Sequence, residues 1–296
     1  MGRKKAIIHN GFVLVNKPTG PTSHQAASSL GKNIKGRRGI EGILDPFASG
    51  LLVIAFGQAT RFLQFFDPLM KAYEATIKLG QTTDTLDLEG KVTEEKPVPE
   101  LEKNILSDVA LHFQGTIEQV PPVFSNLKVD GVRSHVLARK GTFPELKPRD
   151  AKIESIRLRQ SAPDELILHA TVGRGCYIRS LARDIAQELG TVGHLTKLHR
   201  VAIGPLRCAD AVSPDKADKE NLVEAGNLLE WVPELKLELD EMKAVSQGKR
   251  ISIHKQDGNY RLRCNETFFG IGQIKDSTLR AFKLIPINEE LISSLH

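Results

Sequence analysis

A chain of 296 residues, 40% hydrophobic and 26% charged, is long enough to bury a sizeable core and suits one large domain plus a small one. Its longest apolar run is far short of the roughly 18–20 residues that span a bilayer, which excludes a helical membrane protein. Cys176, Cys208 and Cys264 are odd in number, far apart and without a CxxC pair. That excludes a disulfide framework and a zinc knuckle, and free thiols fit a reducing, cytoplasmic compartment. The formal charge is only +5, but it is unevenly placed: residues 1–40 hold eight Lys/Arg and no acid, 209–242 carry ten acids against three bases, and 243–296 carry nine bases against five acids. Two basic zones separated by an acidic one suggest two surfaces for one anionic partner. The opening Met1–Asn10 has a basic head but no apolar core, so it does not read as a signal peptide.

In chain order, Phe12–Val15 reads as a buried strand, broken by Lys17-Pro18-Thr19-Gly20-Pro21. Thr22 and Ser23 offer an N-cap for a helix through Leu30, stopped at Gly31. Lys32–Arg38 is a basic loop without the Gly-Lys-Ser/Thr of a phosphate-binding loop. Leu51–Phe56 is a second buried strand or a helix start. Tyr73–Leu79 alternates with period two, as a strand with one wet face does. Thr83–Gly90 is an acidic turn that lacks the spacing of a calcium loop. Ile105, Val109 and Phe113 mark a helix over Glu100–Gln114, stopped by Gly115. Phe124–Gly141 carries Lys128, Arg133, Arg139 and Lys140 against Asp130 alone, as a basic loop or hairpin. Ile153–Leu158 and Leu166–Val172 alternate as two strands turning at Asp164. Ile178, Leu181, Ala182, Ile185 and Leu189 share one helix face ending at Gly190. His194 and His199 lack the spacing of a metalloprotease helix, and no metal site is expected. After about Leu239 short strands (Ile251–Ile253, Tyr260–Cys264, Phe268–Ile274, Leu279–Leu284) suggest a small β-barrel packed on the main domain.

The candidate for chemistry is Asp45, in Gly42–Gly50. It sits on a tight turn before Pro46, at the end of the acid-free basic zone. A carboxylate placed so is a nucleophile or general base facing a polyanion, or simply the Asp of an Asp-Pro turn. Tyr177 and Arg179, two apart, would point to one face if they lie on a strand, presenting a ring and a cation to one cleft. A glycoside hydrolase would need a second acid roughly 5–9.5 Å from Asp45, and Glu41 is the nearby candidate.

Several segments together resemble the bacterial TruB-type tRNA pseudouridine-55 synthases, over almost the full chain. They are Gly11–Ser23, Gly42–Gly50, Lys71-Ala72-Tyr73, Leu79–Gly90, Gln119–Gly141, Gly175–Arg179 and Leu198-His199-Arg200, in the family's order. The resemblance implies an α+β fold: a mixed, mostly antiparallel sheet flanked by helices over residues 1–239, with a tRNA-gripping insertion at about 119–150, then a small PUA-like β-barrel over 240–296. It implies cofactor-free isomerisation of a T-loop uridine in tRNA. Asp45 would attack the nucleotide or take a proton from its sugar, kept ionised by Arg179. Tyr73 would stack on the extruded uracil, Tyr177 would line the pocket and Leu198 would close its apolar wall. Lys17, Lys128, Arg133, Arg139 and Lys140 would contact phosphates, the C-terminal module would touch the acceptor stem, and no obligate protein partner is implied. The chain departs from the family where Ile40 replaces the usual histidine and Glu41 adds an acid four residues before Asp45; His135 stands where an aromatic Tyr is frequent. A non-catalytic tRNA-binding protein of the same fold, and the guide-RNA-dependent branch of the superfamily, are the rival readings.

Overall fold

The computed structural model describes residues 9–286. The basic head Met1–Ile8, on which the signal-peptide reading and part of the N-terminal charge rest, and residues 287–296 of the C-terminal module lie outside the described residues. The main sheet is mixed. Its central path runs Gly11–Lys17, Ser49–Phe56, Gly193–Ile203, Lys71–Leu79, Glu165–Val172, Arg149–Ala162, Gly115–Gln119, with Arg38–Glu41 and Leu206–Arg207 attached at the side. Every neighbour on the path is antiparallel except Gly193–Ile203 with Ser49–Phe56, a parallel seam of two residue pairs, His199 with Ser49 and Arg200 with Gly50. Gly50 has φ +107°, and a Cβ there would run into the Arg200 backbone, so only glycine fits the seam. The chain entering Ser49 is thus delivered to the parallel seam.

The apolar strand Phe12–Val15 is covered on both faces, as its unbroken hydrophobic run requires. Phe12 packs with Leu51, Val53, Phe62 and Phe66, whereas Val13 and Val15 pack with Leu52, Ile54 and helix residues Ala26 and Ala27. That helix, Ser23–Ser29, is closed by a capping box between Thr22 and Gln25. A second face carries helix Lys103–His112, shorter than the expected Glu100–Gln114. Its buried stripe is Leu106, Val109, Ala110 and Phe113, while Ile105 is turned out, because a 3.6-residue repeat drifts off a strict spacing of four. Helix Ile178–Glu188 packs beside it through the expected Ile178, Leu181, Ala182 and Ile185.

The basic segment leaves the sheet at Gln119 and returns opposite it at Arg149. It is a two-rung ladder, Lys128–Val129 with Val132–Arg133, followed by helix Ser134–Arg139. In the C-terminal region the expected barrel is a curled half-barrel sheet of five strands, in the order Glu234–Lys236, Gly258–Cys264, Thr267–Lys275, Thr278–Leu284, Ile251–Ser252. It docks on the main domain as expected: Phe268 and Ile271 enter the cluster of Phe12 and Phe62, and the Phe282 ring meets Phe65 edge-on with centroids 6.1 Å apart.

Candidate active site

Asp45 sits between two hydrophobic anchors. Leu44 and Phe47, with Ala48, are buried in the main core, so the turn is pinned on either side of the carboxylate. Its carbonyls are then claimed one by one. Ser23 Oγ donates to Leu44 O and accepts from Leu44 N, both at 2.9 Å. Arg200, 1% exposed, donates through Nη2 to Gly42 O at 2.7 Å and through Nε to Leu51 O at 2.8 Å. Lys17 is wholly buried, and its Nζ donates to Pro18 O at 2.9 Å, Pro46 O at 3.2 Å and Ala48 O at 2.6 Å. This corrects the expectation that Lys17 contacts a phosphate: all three donors of the ammonium are spent inside the fold. Burial pulls the Lys17 pKa down to about 8, against the nearby Asp45 carboxylate, which pulls it up.

Tyr177 and Arg179 are not on a strand. Tyr177 is the N-cap of helix Ile178–Glu188 and Arg179 lies in its first turn. Both side chains nonetheless border one cavity, which they reach from a helix start and not from alternating strand positions. The buried Gln119 orients the helix start by accepting from Tyr177 N at 2.8 Å. Arg179, 5% exposed, ties three segments together: Nε meets Asp45 Oδ2 at 2.9 Å, Nη1 meets Asp87 Oδ2 at 3.5 Å and Thr85 O at 2.8 Å, and Nη2 donates to Phe124 O at 2.8 Å. Burial raises the Asp45 carboxyl above its ordinary range, the Arg179 charge opposes that, and the Asp87 carboxylate adds to it. The side chain of Asp45 still keeps 40% of its surface exposed toward the cavity, so water tempers the shift. The acid beside Asp45 is thus Asp87, not Glu41.

Glu41 is buried and paired with Lys71 Nζ at 2.9 Å. Lys71 Nζ and Arg200 Nη1 both lie 3.0 Å from where a Cβ on Gly42 (φ +61°) would stand, so Glu41 offsets two cations crowded against one glycine. Ile40 packs on the apolar cluster of Val13 and Ile54.

Two cavities meet at Asp45. The first, about 330 Å³, is walled by Tyr73, Tyr177, Leu198, Val172, Lys71 and Arg200. The second, about 290 Å³, is bordered by Arg133, Arg139, His135, Asp87 and Glu89. Of the expected site residues, Asp45, Tyr73, Tyr177, Arg179 and Leu198 therefore share one chamber, and Arg133 and Arg139 line the adjoining groove. Lys128 and Lys140 are exposed on the same basic segment, outside both walls. Arg200, Asp87, Lys71 and Gln119 were not singled out by sequence reasoning. Each lies inside one of the family-like motifs, but nothing in one sequence marks a buried partner from its exposed neighbours. Cys176 also borders the chamber, and burial pushes its thiol up to about 12, which keeps it protonated. Among the described residues no group of His, Cys, Asp and Glu is arranged to hold a metal ion.

The family model described as TruB family pseudouridylate synthase, N-terminal domain, matches residues 32–178, and that for pseudouridine synthase II TruB, C-terminal, matches residues 233–285. The chain belongs to the TruB family of pseudouridylate synthases. Such enzymes are isomerases, and so is this TruB-family chain. It is 37% identical to tRNA pseudouridine synthase B of Aquifex aeolicus over 286 residues, spanning 93% of this chain and 99% of that protein. It is 36% identical to the protein of that name from Azoarcus sp., spanning 94% and 95% of the two chains. Among solved structures, a chain of a Cbf5-Nop10-Gar1 complex superposes with TM-score 0.67 at 22% identity, over 89% of this chain and 78% of that one. A chain of an H/ACA RNP bound to a substrate RNA containing 2′-deoxyuridine gives TM-score 0.68 at 20% identity, over 93% and 85%. At those identities the likeness is one of fold. No described helix is long and apolar enough to cross a membrane.

Proposed function

We propose that this enzyme converts the T-loop uridine at position 55 of tRNA to pseudouridine, using Asp45 and no cofactor. The observation that carries the reading is the place of the Asp45 carboxylate: 2.9 Å from a buried guanidinium, where an aromatic-walled chamber joins a basic groove. A uracil turned out of its stack fits the chamber, its ribose lies at the junction and its phosphates face Arg133 and Arg139. Extruding the base costs roughly a few kcal/mol, which phosphate contacts offset.

In the reaction the N1–C1′ bond breaks, the base turns, and a C5–C1′ bond forms. C5 gives up its proton and N1 gains one, so the product is an isomer and no redox partner is needed. Asp45 acts ionised, either attacking the nucleotide or taking a proton from its sugar. Tyr73 stacks on the uracil and assists loss of the C5 proton, Tyr177 lines the opposite side, and Leu198 excludes water. The T arm runs along the 124–141 segment, with Lys128 and Lys140 on its outer flank. The C-terminal module meets the acceptor stem. Because Glu234–Lys236 belongs to the second sheet, we draw the domain boundary just before Glu234 rather than at 239. The enzyme works in the cytoplasm without an obligate protein partner.

The test is tritium release from a tRNA transcript labelled at uridine C5. The expected result is release by wild type, none by Asp45→Asn, and none when the single target uridine is cytidine. Intact, salt-sensitive tRNA binding with no release at any enzyme concentration would replace this reading with a non-catalytic binder.

A further inference from the structure

Ser125 is 5% exposed, and its Oγ has no hydrogen-bond partner among the described residues. A buried hydroxyl without a partner has given up water for nothing, and such a group in a native fold calls for an explanation. Looseness is not the explanation. Ser134 Oγ donates to Val123 O, Arg179 Nη2 to Phe124 O at 2.8 Å, and the backbone N–H of His135 to Ser125 O at 3.1 Å. The His135 ring, through Nδ1, lies 2.9 Å from the same Ser125 carbonyl. The backbone is held from both sides, partly by the arginine that also holds Asp45.

Ser125 borders both cavities, as do Asp45 and Arg179. A nucleotide whose base lies against Tyr73 and Tyr177, and whose phosphates face Arg133 and Arg139, has its sugar at that junction. We propose that Ser125 Oγ hydrogen-bonds the ribose 2′-hydroxyl of the extruded nucleotide, making it a specificity-determining residue that favours RNA over DNA at that position. The assignment rests on the reading under Proposed function. Both hydroxyls donate and accept, so either polarity of the bond is available. With the backbone clamped, a turn about χ1 between staggered wells is the motion left to the serine. The bond would also fix the sugar against the Asp45 carboxylate.

A cycle between protein and substrate tests this. tRNA transcripts carrying uridine or 2′-deoxyuridine at the target position are bound to Asp45→Asn enzyme, with Ser125 intact or replaced by Ala. Each single change should weaken binding about tenfold, and the two together should weaken it no further, since both remove one bond. Losses that multiply to about a hundredfold would show that Ser125 acts elsewhere, on the base edge for instance, and would overturn the assignment. Melting temperature separates a structural role: an unpartnered hydroxyl predicts that Ser125→Ala melts at or above the parent temperature, and a clear drop would also overturn it. Tritium release by the wild type is run beside the cycle. Its absence would sink the functional reading, whereas release with a multiplicative cycle would sink the Ser125 assignment alone.

Discussion

The Asp45 turn and the 124–141 segment face one another across the site and are built on opposite plans. In the turn, the carbonyls of Gly42, Leu44, Pro46 and Ala48 all accept from buried side chains, Arg200, Ser23 and Lys17. In the segment, Lys128 and Arg133 on a two-rung ladder, Arg139 on a six-residue helix and Lys140 just after it are all exposed. The difference follows from what each has to do. A reacting carboxylate misplaced by about 1 Å loses orders of magnitude in rate, so its turn is over-determined. Cations that meet a polyanion act through charge and counterion release, which tolerate a looser frame.

The hardest break on the rigid side is Arg179→Met. It leaves Asp87, whose side chain is 6% exposed, without its cation, and removes the clamp on Asp45. Breaking a buried ion pair costs about 3–5 kcal/mol, and losing a preorganised charge at a reacting group costs about 10²–10³ in rate. Thermal unfolding and single-turnover tritium release should both fall. Arg179→Lys should recover part of the stability but not the rate, because an ammonium cannot serve four acceptors with the arginine's flat fork. A variant that melts normally and turns over normally would show the turn to be held by its other bonds.

Lys17→Met is the next test. It keeps the apolar stem and removes the donor to three carbonyls. Stranding the buried Ala48 carbonyl, while Pro46 O still accepts from Gly20 N, should lower stability by about 1–3 kcal/mol. The rate should fall through kcat with KM nearly unchanged, since the lysine is sealed from solvent. A rise in KM alone would restore the phosphate-contact role that its burial argues against.

Lys17 also shows where reading the sequence stops. The strand before it, the capped helix after it and the Asp-Pro turn were legible from local chemistry: an apolar run, Thr22 with Gln25, a proline after Asp45. The direction of a long side chain is not local. Lys17 turns inward because the carbonyls of Pro46 and Ala48, some thirty residues on, accept from its ammonium, and only the fold brings them together. Glu41 is the converse case. Its proximity to Asp45 in sequence suggested a shared field, but it lies on the strand Arg38–Glu41 and faces Lys71, while Asp87, from a distant turn, takes the place beside Asp45. Arg179 was found because a recognisable motif carries it, although the strand assigned to it is a helix.

On the adaptable side, Arg133→Ala with Arg139→Ala should raise the dissociation constant for tRNA about tenfold in moderate salt. The slope of log affinity against log salt should become shallower by about 0.7–0.9 for each phosphate that is no longer neutralised. Both side chains are exposed, so the melting temperature should move by less than the equivalent of about 0.5 kcal/mol. Turnover at saturating tRNA should survive. A fall in kcat would mean that the segment shapes the chamber as well as the groove.

The smallest expected effect has the opposite sign and probes the rigid side again. Asp45 has its carboxyl raised by burial, with Arg179 opposing. A carboxyl with a folded pKa above its unfolded value contributes stability that is fully present below the unfolded pKa. That stability is lost as pH rises through the folded pKa. At neutral pH the wild type therefore carries a destabilised carboxylate that Asp45→Asn lacks. The inactive variant should melt slightly higher near pH 7, and the gap should close as the pH is lowered into the carboxylate range. The acid limb of the wild-type rate should lie above the ordinary carboxylate value, since the reaction uses the ionised form. An Asn variant that melts lower at every pH would mean that the 2.9 Å contact with Arg179 outweighs burial. The turn would then be stabilised by its reacting group instead of holding it at the expense of stability.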